Sequence, residues 1–339
     1  MVTLKEIAIR AGVSVPTVSQ VLNGNAATAR ISAACAAKVE MIAAELNFHP
    51  NASARAIRLQ ATRQIGVLLR NAPGHRLTNA AAFEFILGIN ERLEETGYVL
   101  SIVRFGDISD DSRPGSRVFR ERLLDGLIIT DRLPPDVYAQ AERHVPACVW
   151  LDTNIWRDQW CIRRDELQAG RLAAQTIVNL GYRRATYIGV APEANIHYSH
   201  SERFTGAMEV LRAADVEVTE VCVGPHHAAK LGAMVEPHLR KDTAIIASTV
   251  PLARRVQYVS IGMRLCPGWD YGLVCCDDAN QIVEQWPTLS RASFERFAIG
   301  KMAAGMMLER LSKDPDSMSG GASVLVPTRW RAGSTAWGP

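Results

Sequence analysis

No run of 18 or more apolar residues occurs in the 339-residue chain, so nothing in it reads as a membrane-spanning helix. Its first residues, Met1-Val2-Thr3-Leu4-Lys5-Glu6, lack the basic-then-apolar layout of a secretory signal, and a cytoplasmic protein is expected. The seven cysteines are odd in number, never spaced C-x-x-C, and lie mostly among apolar residues. That argues against a disulfide frame or a zinc site and for reduced, buried thiols. The signatures of common enzymes are missing as well: G-x-x-x-x-G-K-[ST], G-x-G-x-x-G after a strand, H-E-x-x-H and G-x-S-x-G. His226 and His227 are adjacent, so their side chains point apart and make a poor metal site. Neither catalysis, a metal nor a cofactor is expected.

What is present is ordinary globular composition, 47% hydrophobic and 22% charged, at a length that suits about two domains. Charge is unevenly spread. Residues 1–64 carry seven Lys or Arg against three acids, whereas the other 275 residues carry 31 against 32. A small basic head on a neutral body suits a polyanion partner, although a solvated basic face has the same charge.

From Ile65 onward short β-rich runs alternate with helix-length segments: Ile65 to Leu69, Tyr98 to Val103, Gly126 to Ile129, Ala147 to Leu151, Ala185 to Val190, Glu217 to Val223, Thr243 to Ala247 and Gly272 to Cys276. Their near-continuous apolar character predicts parallel strands buried on both faces, in two doubly wound α/β units. A helix between the first two strands is expected to bury Phe83, Ile86, Leu87 and Leu93, and another to run from Asp165 to a Gly181 C-cap.

Before Ile65 no strand pattern appears, and four short helices are expected. Thr3-Leu4-Lys5-Glu6 is a T-x-x-E capping box that starts the first. Ser14 caps a second ending at Asn23-Gly24-Asn25, and Ser32 a third with Val39, Ile42, Ala43 and Leu46 as its apolar stripe. Pro50 bars His49 from the helical region, and residues 51–60 form the fourth. Two helices joined at Ala11-Gly12-Val13-Ser14 have the helix-turn-helix layout, a pattern shared with plain helical hairpins. Docked as such a motif, Val15, Pro16 and Gln20 face base edges in the major groove, while Ser14, Thr17, Ser19 and Asn23 suit phosphates.

From Val2 to Asn25 the chain, VTLKEIAIRAGVSVPTVSQVLNGN, resembles the DNA-binding head of the lac repressor (LacI/GalR) family of bacterial transcriptional regulators. The family pattern A-x-x-A-G-V-S-x-x-T-V-S-x-V-L-N is met by Ala8, Ala11-Gly12-Val13-Ser14, Thr17-Val18-Ser19 and Val21-Leu22-Asn23. The linker pattern is similar through Asn47-Phe48-His49-Pro50-Asn51, Ala54-Arg55 and Ile57, and the body through Gly88-Ile89, Asp125-Gly126-Leu127-Ile128, Gly170-Arg171-Leu172-Ala173-Ala174, Arg203-Phe204-Thr205-Gly206 and Asp277-Asp278.

The resemblance implies a helix-turn-helix domain at 1–48, a hinge-helix linker at 49–62 and a periplasmic-binding-protein-like effector and dimerisation domain at 63–339. That domain's N-subdomain would span 63–158 and 291–322, its C-subdomain 159–290 and 323–339, with crossings near 156–161, 289–292 and 320–323. It implies a homodimer on a near-palindromic operator in duplex DNA. Arg30, Asn51 and Arg55 join the DNA contacts, and Ile57 is an apolar wedge in the minor groove. Gln20, where relatives often have Arg, prefers adenine to guanine. The tail Arg329 to Pro339 has no leucine heptad, which leaves dimer or tetramer open.

By position, Asp165, Arg203 and Asp277 match effector-cleft residues of the family; Asp165, Asp277 and Asp278 are equally suited to capping helices. Thr249-Val250 stands where Asn-Asp is usual, and Asn79-Ala80-Ala81-Ala82 where N-P-F-F is usual, so an aromatic wall is missing. Arg70 with Arg203 would suit a carboxylate, and Trp156, Trp160 and Trp286 near the crossings would suit sugar rings. A sugar or sugar acid is the expected effector, a nucleobase or other metabolite the alternative. Packing at the hinge is an equally good account of Trp156 and Trp160.

Overall fold

The computed structural model describes residues 2–49, 56, 60–70, 82–105, 121–191, 196–224, 230–278, 288–313 and 321–339. Two compact units divide the chain, Met1–Thr62 and Arg63–Pro339.

The first unit contains helices α1 (Leu4–Ala11), α2 (Val15–Leu22) and α3 (Ala33–Glu45). Each starts on a hydroxyl: Thr3 accepts from the Glu6 amide, Ser14 from Thr17 and Ser32 from Cys35. These bonds satisfy amides that have no partner inside the helix. Gly12, at φ +70°, ends α1 in the left-handed region that a side chain disfavours. Ile7, Ala8, Ala11, Val18, Val21, Val39, Ile42 and Ala43 meet in one small core. The fourth expected helix lies outside the described residues, apart from a helical Ala56 whose carbonyl accepts from the Ala61 amide.

The second unit has two six-stranded sheets. The first joins β1 (Gln64–Arg70), β2 (Val99–Phe105), β3 (Gly126–Thr130), β4 (Cys148–Leu151), β5 (Cys161–Arg164) and β11 (Val324–Val326) in the order β11-β5-β4-β3-β1-β2. The second joins β6 (Arg184–Val190), β7 (Glu217–Val223), β8 (Thr243–Ala247), β9 (Gly272–Cys275), β10 (Ser290–Ser293) and β12 (Arg329–Arg331) in the order β12-β10-β9-β8-β6-β7. All pairings are parallel except β10 with β12, which is antiparallel. Both sheets therefore share one winding, whose direction reverses between β1 and β3 and between β6 and β8, and ligand crevices form beyond the strands' carboxyl ends at such reversals. Burial on both faces is visible along β1, where Ile65, Val67 and Leu69 join one core and Leu68 another.

The helices of this unit are α4 (Phe83–Glu94), α5 (Pro135–His144), α6 (Glu166–Asn179), α7 (Tyr198–Ala213), α8 (Leu231–Val235), α9 (Val250–Gly262) and α10 (Arg296–Ser312). Gly181 follows α6 at φ +88°. No helix among the described residues is long and apolar enough to cross a membrane.

Three expectations need correction. The buried face of α4 is Phe85, Gly88, Ile89 and Leu93, whereas Phe83 and Leu87 are 51% and 44% exposed. Gly88 sits so close to the Phe297 carbonyl of α10 that this neighbour fixes the rotation of the helix. The chain also leaves each sheet later than expected, after Arg164, after Ser293 and after Val326, because β5, β10 and β11 each add a strand first. Finally, Cys222 is exposed, because the β7 edge strand turns its even residues outward, and Cys35 in α3 and Cys266 after α9 are half-buried.

Candidate functional site

In the first unit the α2 helix has two faces. Val18 and Val21 are buried in the core, which turns Pro16 and Gln20 outward and leaves Val15 40% exposed. Polar groups beside them are partly occupied. The Thr17 hydroxyl lies 2.8 Å from that of Ser14, and the Asn23 amide donates to the Ser19 carbonyl at 2.5 Å and to its hydroxyl at 3.3 Å. Thus Asn23 closes the C-terminal turn of α2, while Ser14 starts its N-terminal one. Arg30 is exposed, at φ +55°. Asn51, Arg55 and Ile57 lie outside the described residues.

In the second unit the residues carried over by position sit at the carboxyl ends of strands: Arg70 ends β1, Asp165 follows β5, Thr249 follows β8 and Asp277 follows β9. Asp165 caps α6, accepting from the Gln168 amide at 2.8 Å. Thr249 precedes α9, half-buried, with no capping bond from its side chain. Arg203 is 2% exposed and is held by Glu166, with Nε to Oε2 at 2.7 Å and Nη2 to Oε1 at 2.8 Å, while Nη1 donates to the Ser248 carbonyl at 2.7 Å. Close helix packing sets this pair. A Cβ on Gly170 of α6 would meet the Arg203 carbonyl at 2.1 Å, and one on Gly206 of α7 would meet the Leu167 carbonyl at 2.1 Å.

The pair belongs to a longer ionic chain at the crossings between the sheets. Arg164 lies 3.0 Å from Asp152, 2.8 Å from Glu166 and 3.6 Å from Asp277. Asp277 is 3.4 Å from Arg203 and 2.5 Å from Arg296, which also pairs with Asp278. Burial by itself would raise the Asp277 pKa, but Arg203, Arg296 and Arg164 outweigh it and hold the carboxyl well below its ordinary range. Asp152 behaves alike, with burial opposed by Arg164 and His197. These groups stay charged, and three guanidinia face four carboxylates.

Beside this chain the two subdomains are latched. Asn154, between β4 and β5, accepts from the Tyr198 amide at 2.8 Å and donates to the Ile196 carbonyl at 2.9 Å. Tyr198 donates its hydroxyl to Asp152 at 2.6 Å, and a His197 ring nitrogen lies 2.9 Å from the Asp152 carbonyl. Sequence reasoning missed Asp152, Asn154, Arg164, Glu166, Tyr198 and Arg296, because no local pattern marks them, although Arg164 and Glu166 flank Asp165; Asp278 was expected only as a helix cap.

Of Trp156, Trp160 and Trp286, the first two fall within the described residues. Trp160 packs under Arg310 and Lys313, and Trp156 lies near Arg163 at 43% exposure. Trp286, His226 and His227 are outside the described residues, as are Asn79 to Ala81, whereas Ala82 is buried. Among the described residues no group of three or more His, Cys, Asp or Glu is arranged to hold a metal ion.

Residues 3–51 match the family described as bacterial regulatory proteins, lacI family, and residues 174–336 match the periplasmic binding protein-like domain. The chain is 26% identical over 340 residues to the HTH-type transcriptional repressor PurR of Vibrio atlanticus, covering 93% of each. It is 27% identical over 324 residues to the ribose operon repressor of Bacillus subtilis, again covering 93% of each. Among solved structures, the lac repressor dimer bound to operator and an anti-inducer superposes with a TM-score of 0.76 at 21% identity, covering 99% of both chains. A regulator named CelR, in complex with cellobiose, superposes with a TM-score of 0.63 at 19% identity, covering 99% of this chain and 100% of that one.

Proposed function

The chain belongs to the lacI family of bacterial transcriptional regulators, which bind DNA and are not enzymes, and from that premise we propose that it is a repressor binding a near-palindromic operator as a homodimer under the control of a small effector. The observation that carries the DNA reading is the two-faced α2: burying Val18 and Val21 leaves Val15, Pro16 and Gln20 outward on one helix face. An outward face of this width fits the major groove, with Ser14, Thr17, Ser19, Asn23 and Arg30 toward the backbone and the linker residues Asn51, Arg55 and Ile57 toward the minor groove. The exposed Phe83, Leu87 and Phe297 on the packed pair α4 and α10 support self-association through the first sheet's subdomain. Its place of action is the cytoplasm, on nucleoid DNA.

The effector binds between the subdomains, beyond the ends of β1, β6 and β8, near Arg70, Asp165, Arg203, Thr249 and Asp277. Of these, Arg203 and Asp277 are already ion-paired, so they shape the floor of the cleft more than they meet ligand. An ionic chain that holds more carboxylates than guanidinia favours a neutral sugar over a sugar acid.

Selection from random duplex DNA at low and moderate salt tests the reading. A palindrome should emerge, with affinity falling steeply as salt rises. Gln20→Ala should relax the choice at one base pair per half-site, at a cost of about 1 to 3 kcal/mol. Selection that yields no sequence, or a flat salt dependence, overturns it.

A further inference from the structure

We propose that the second sheet's subdomain contains a small-molecule site of its own, a pocket between α7 and the β6–β7 edge that takes a compact neutral phenol or aryl alcohol. The pocket, of about 290 Å³, is lined mainly by apolar surface. Three buried polar atoms of its lining have no hydrogen-bond partner among the described residues: the Tyr187 hydroxyl, the His200 Nδ1 and the Ser248 hydroxyl. Tyr187 is 3% exposed and Ser248 1%. A buried polar group left without a partner costs about 1 to 3 kcal/mol, so three around one cavity are an arrangement that a ligand would complete.

Size and charge narrow the ligand. A dry cavity of about 150 Å³ takes benzene, and drug-sized ligands need upward of about 300 Å³, so this pocket suits one ring with a short substituent rather than a disaccharide. The rings of Tyr187 and Phe204 already meet edge to face at 5.2 Å, a wall that would extend to a third ring. Burial, reinforced by Arg203 and His197, pushes His200 down to about 3, so it is a neutral partner at physiological pH. Glu220 is exposed at the open side and repels anions. The pocket's lining includes none of Arg70, Asp165, Arg203, Thr249 and Asp277, yet it adjoins the cleft at the ends of β6 and β8 and touches the ionic chain, because the Ser248 carbonyl holds Arg203 at 2.7 Å while the Ser248 hydroxyl is the orphan.

Phenol, toluene and benzoate titrated into the full chain by calorimetry form the test, with iodoacetamide labelling of Cys222, exposed at the rim, as a second readout. Phenol should bind saturably and slow Cys222 labelling, while toluene and benzoate bind at least about tenfold more weakly. Tyr187→Phe should weaken phenol about tenfold without lowering Tm, since it removes an unpaired hydroxyl. Cys222→Trp, at an exposed position, should block phenol and leave operator binding unchanged. Equal affinity for toluene would make the pocket a nonspecific dry cavity, a preference for benzoate would overturn the neutral assignment, and no saturable binding would mean that it holds only water.

Discussion

Arg203 and Glu166 grip each other through two parallel bonds of 2.7 and 2.8 Å, with side chains 2% and 0% exposed. Removing one partner of such a pair strands the other charge away from water, whereas removing both need cost little. Glu166→Gln is therefore expected to lose about 3 to 5 kcal/mol of stability in urea unfolding. The double replacement Glu166→Gln with Arg203→Met should recover most of that. If Glu166→Gln proves as stable as the wild type, the pair is no support of the fold. The same physics makes Arg203→Ala a poor probe of effector contact, because it would leave the buried Glu166 with Arg164 but without its two-bonded partner.

Acid should unfold the large unit in two stages. His200 is held down to about 3 by burial, with Arg203 and His197 adding to it, whereas an unfolded histidine titrates near 6.5. The unfolded chain then binds a proton that the folded one refuses, so stability falls from about pH 6.5 toward 3, by at most about 1.4 kcal/mol per pH unit. Asp152 and Asp277 lie below their ordinary range, since Arg164 and Arg203 respectively lead the cations that overcome the raising effect of burial. Their contribution is present above an unfolded pKa of about 3.9 and is lost as pH falls through the lower folded values. His200→Gln should flatten the limb between about pH 6.5 and 4 and leave the steeper acid limb. A wild-type profile flat down to pH 4 would remove His200 from this account.

Local chemistry made much of the fold legible, and long-range pairing hid the rest. Thr3, Ser14 and Ser32 cap helices through atoms three residues away, which a sequence displays directly. Eight strands showed themselves as apolar runs. The strand Ser290–Ser293 did not, since Ser-Arg-Ala-Ser has no apolar signal and is buried only because its polar groups find Thr335, the Leu289 carbonyl and Asp278. Likewise Glu166 reads as an ordinary helix-start carboxylate, and its partner lies 37 residues further on. The three helices of the head could be derived from period and capping, whereas the ionic chain at the crossings depends on segments distant in sequence meeting in space.

The close crossing of α6 and α7 supplies a steric test. At Gly170 a Cβ would stand 2.1 Å from the Arg203 carbonyl, which is backbone and has no rotamer through which to move away. Gly170→Ala should then cost about 1 to 3 kcal/mol or more, although alanine is the better helix former by about 1 kcal/mol. Gly305, in α10 with nothing within 4 Å of a Cβ, is the control, and Gly305→Ala should be neutral or stabilising. Differential scanning calorimetry of the two variants checks the sign. Equal shifts would mean that the helices part easily, and that Gly170 does not set the Arg203 position.

The latch at Asn154 joins the two subdomains of the large unit. Its side chain bonds the Ile196 carbonyl and the Tyr198 amide, so it spans from the first sheet's subdomain to the second's. Two such bonds, at about 0.5 to 1.5 kcal/mol net each, are enough to shift a two-state balance by roughly five- to 150-fold. Asn154→Ala is expected to favour the open arrangement of the ligand-free protein, raising the radius of gyration in small-angle scattering. Because an effector can act only through the difference between the two arrangements, the same variant should move ligand-free operator affinity by at least about fivefold. Asn154→Asp, which keeps the acceptor for the Tyr198 amide but sets an oxygen against the Ile196 carbonyl, should fall at or beyond the alanine variant. Unchanged scattering together with unchanged operator affinity in both variants would show that the latch is incidental and that closure is governed by the ionic chain from Asp152 to Asp278 alone.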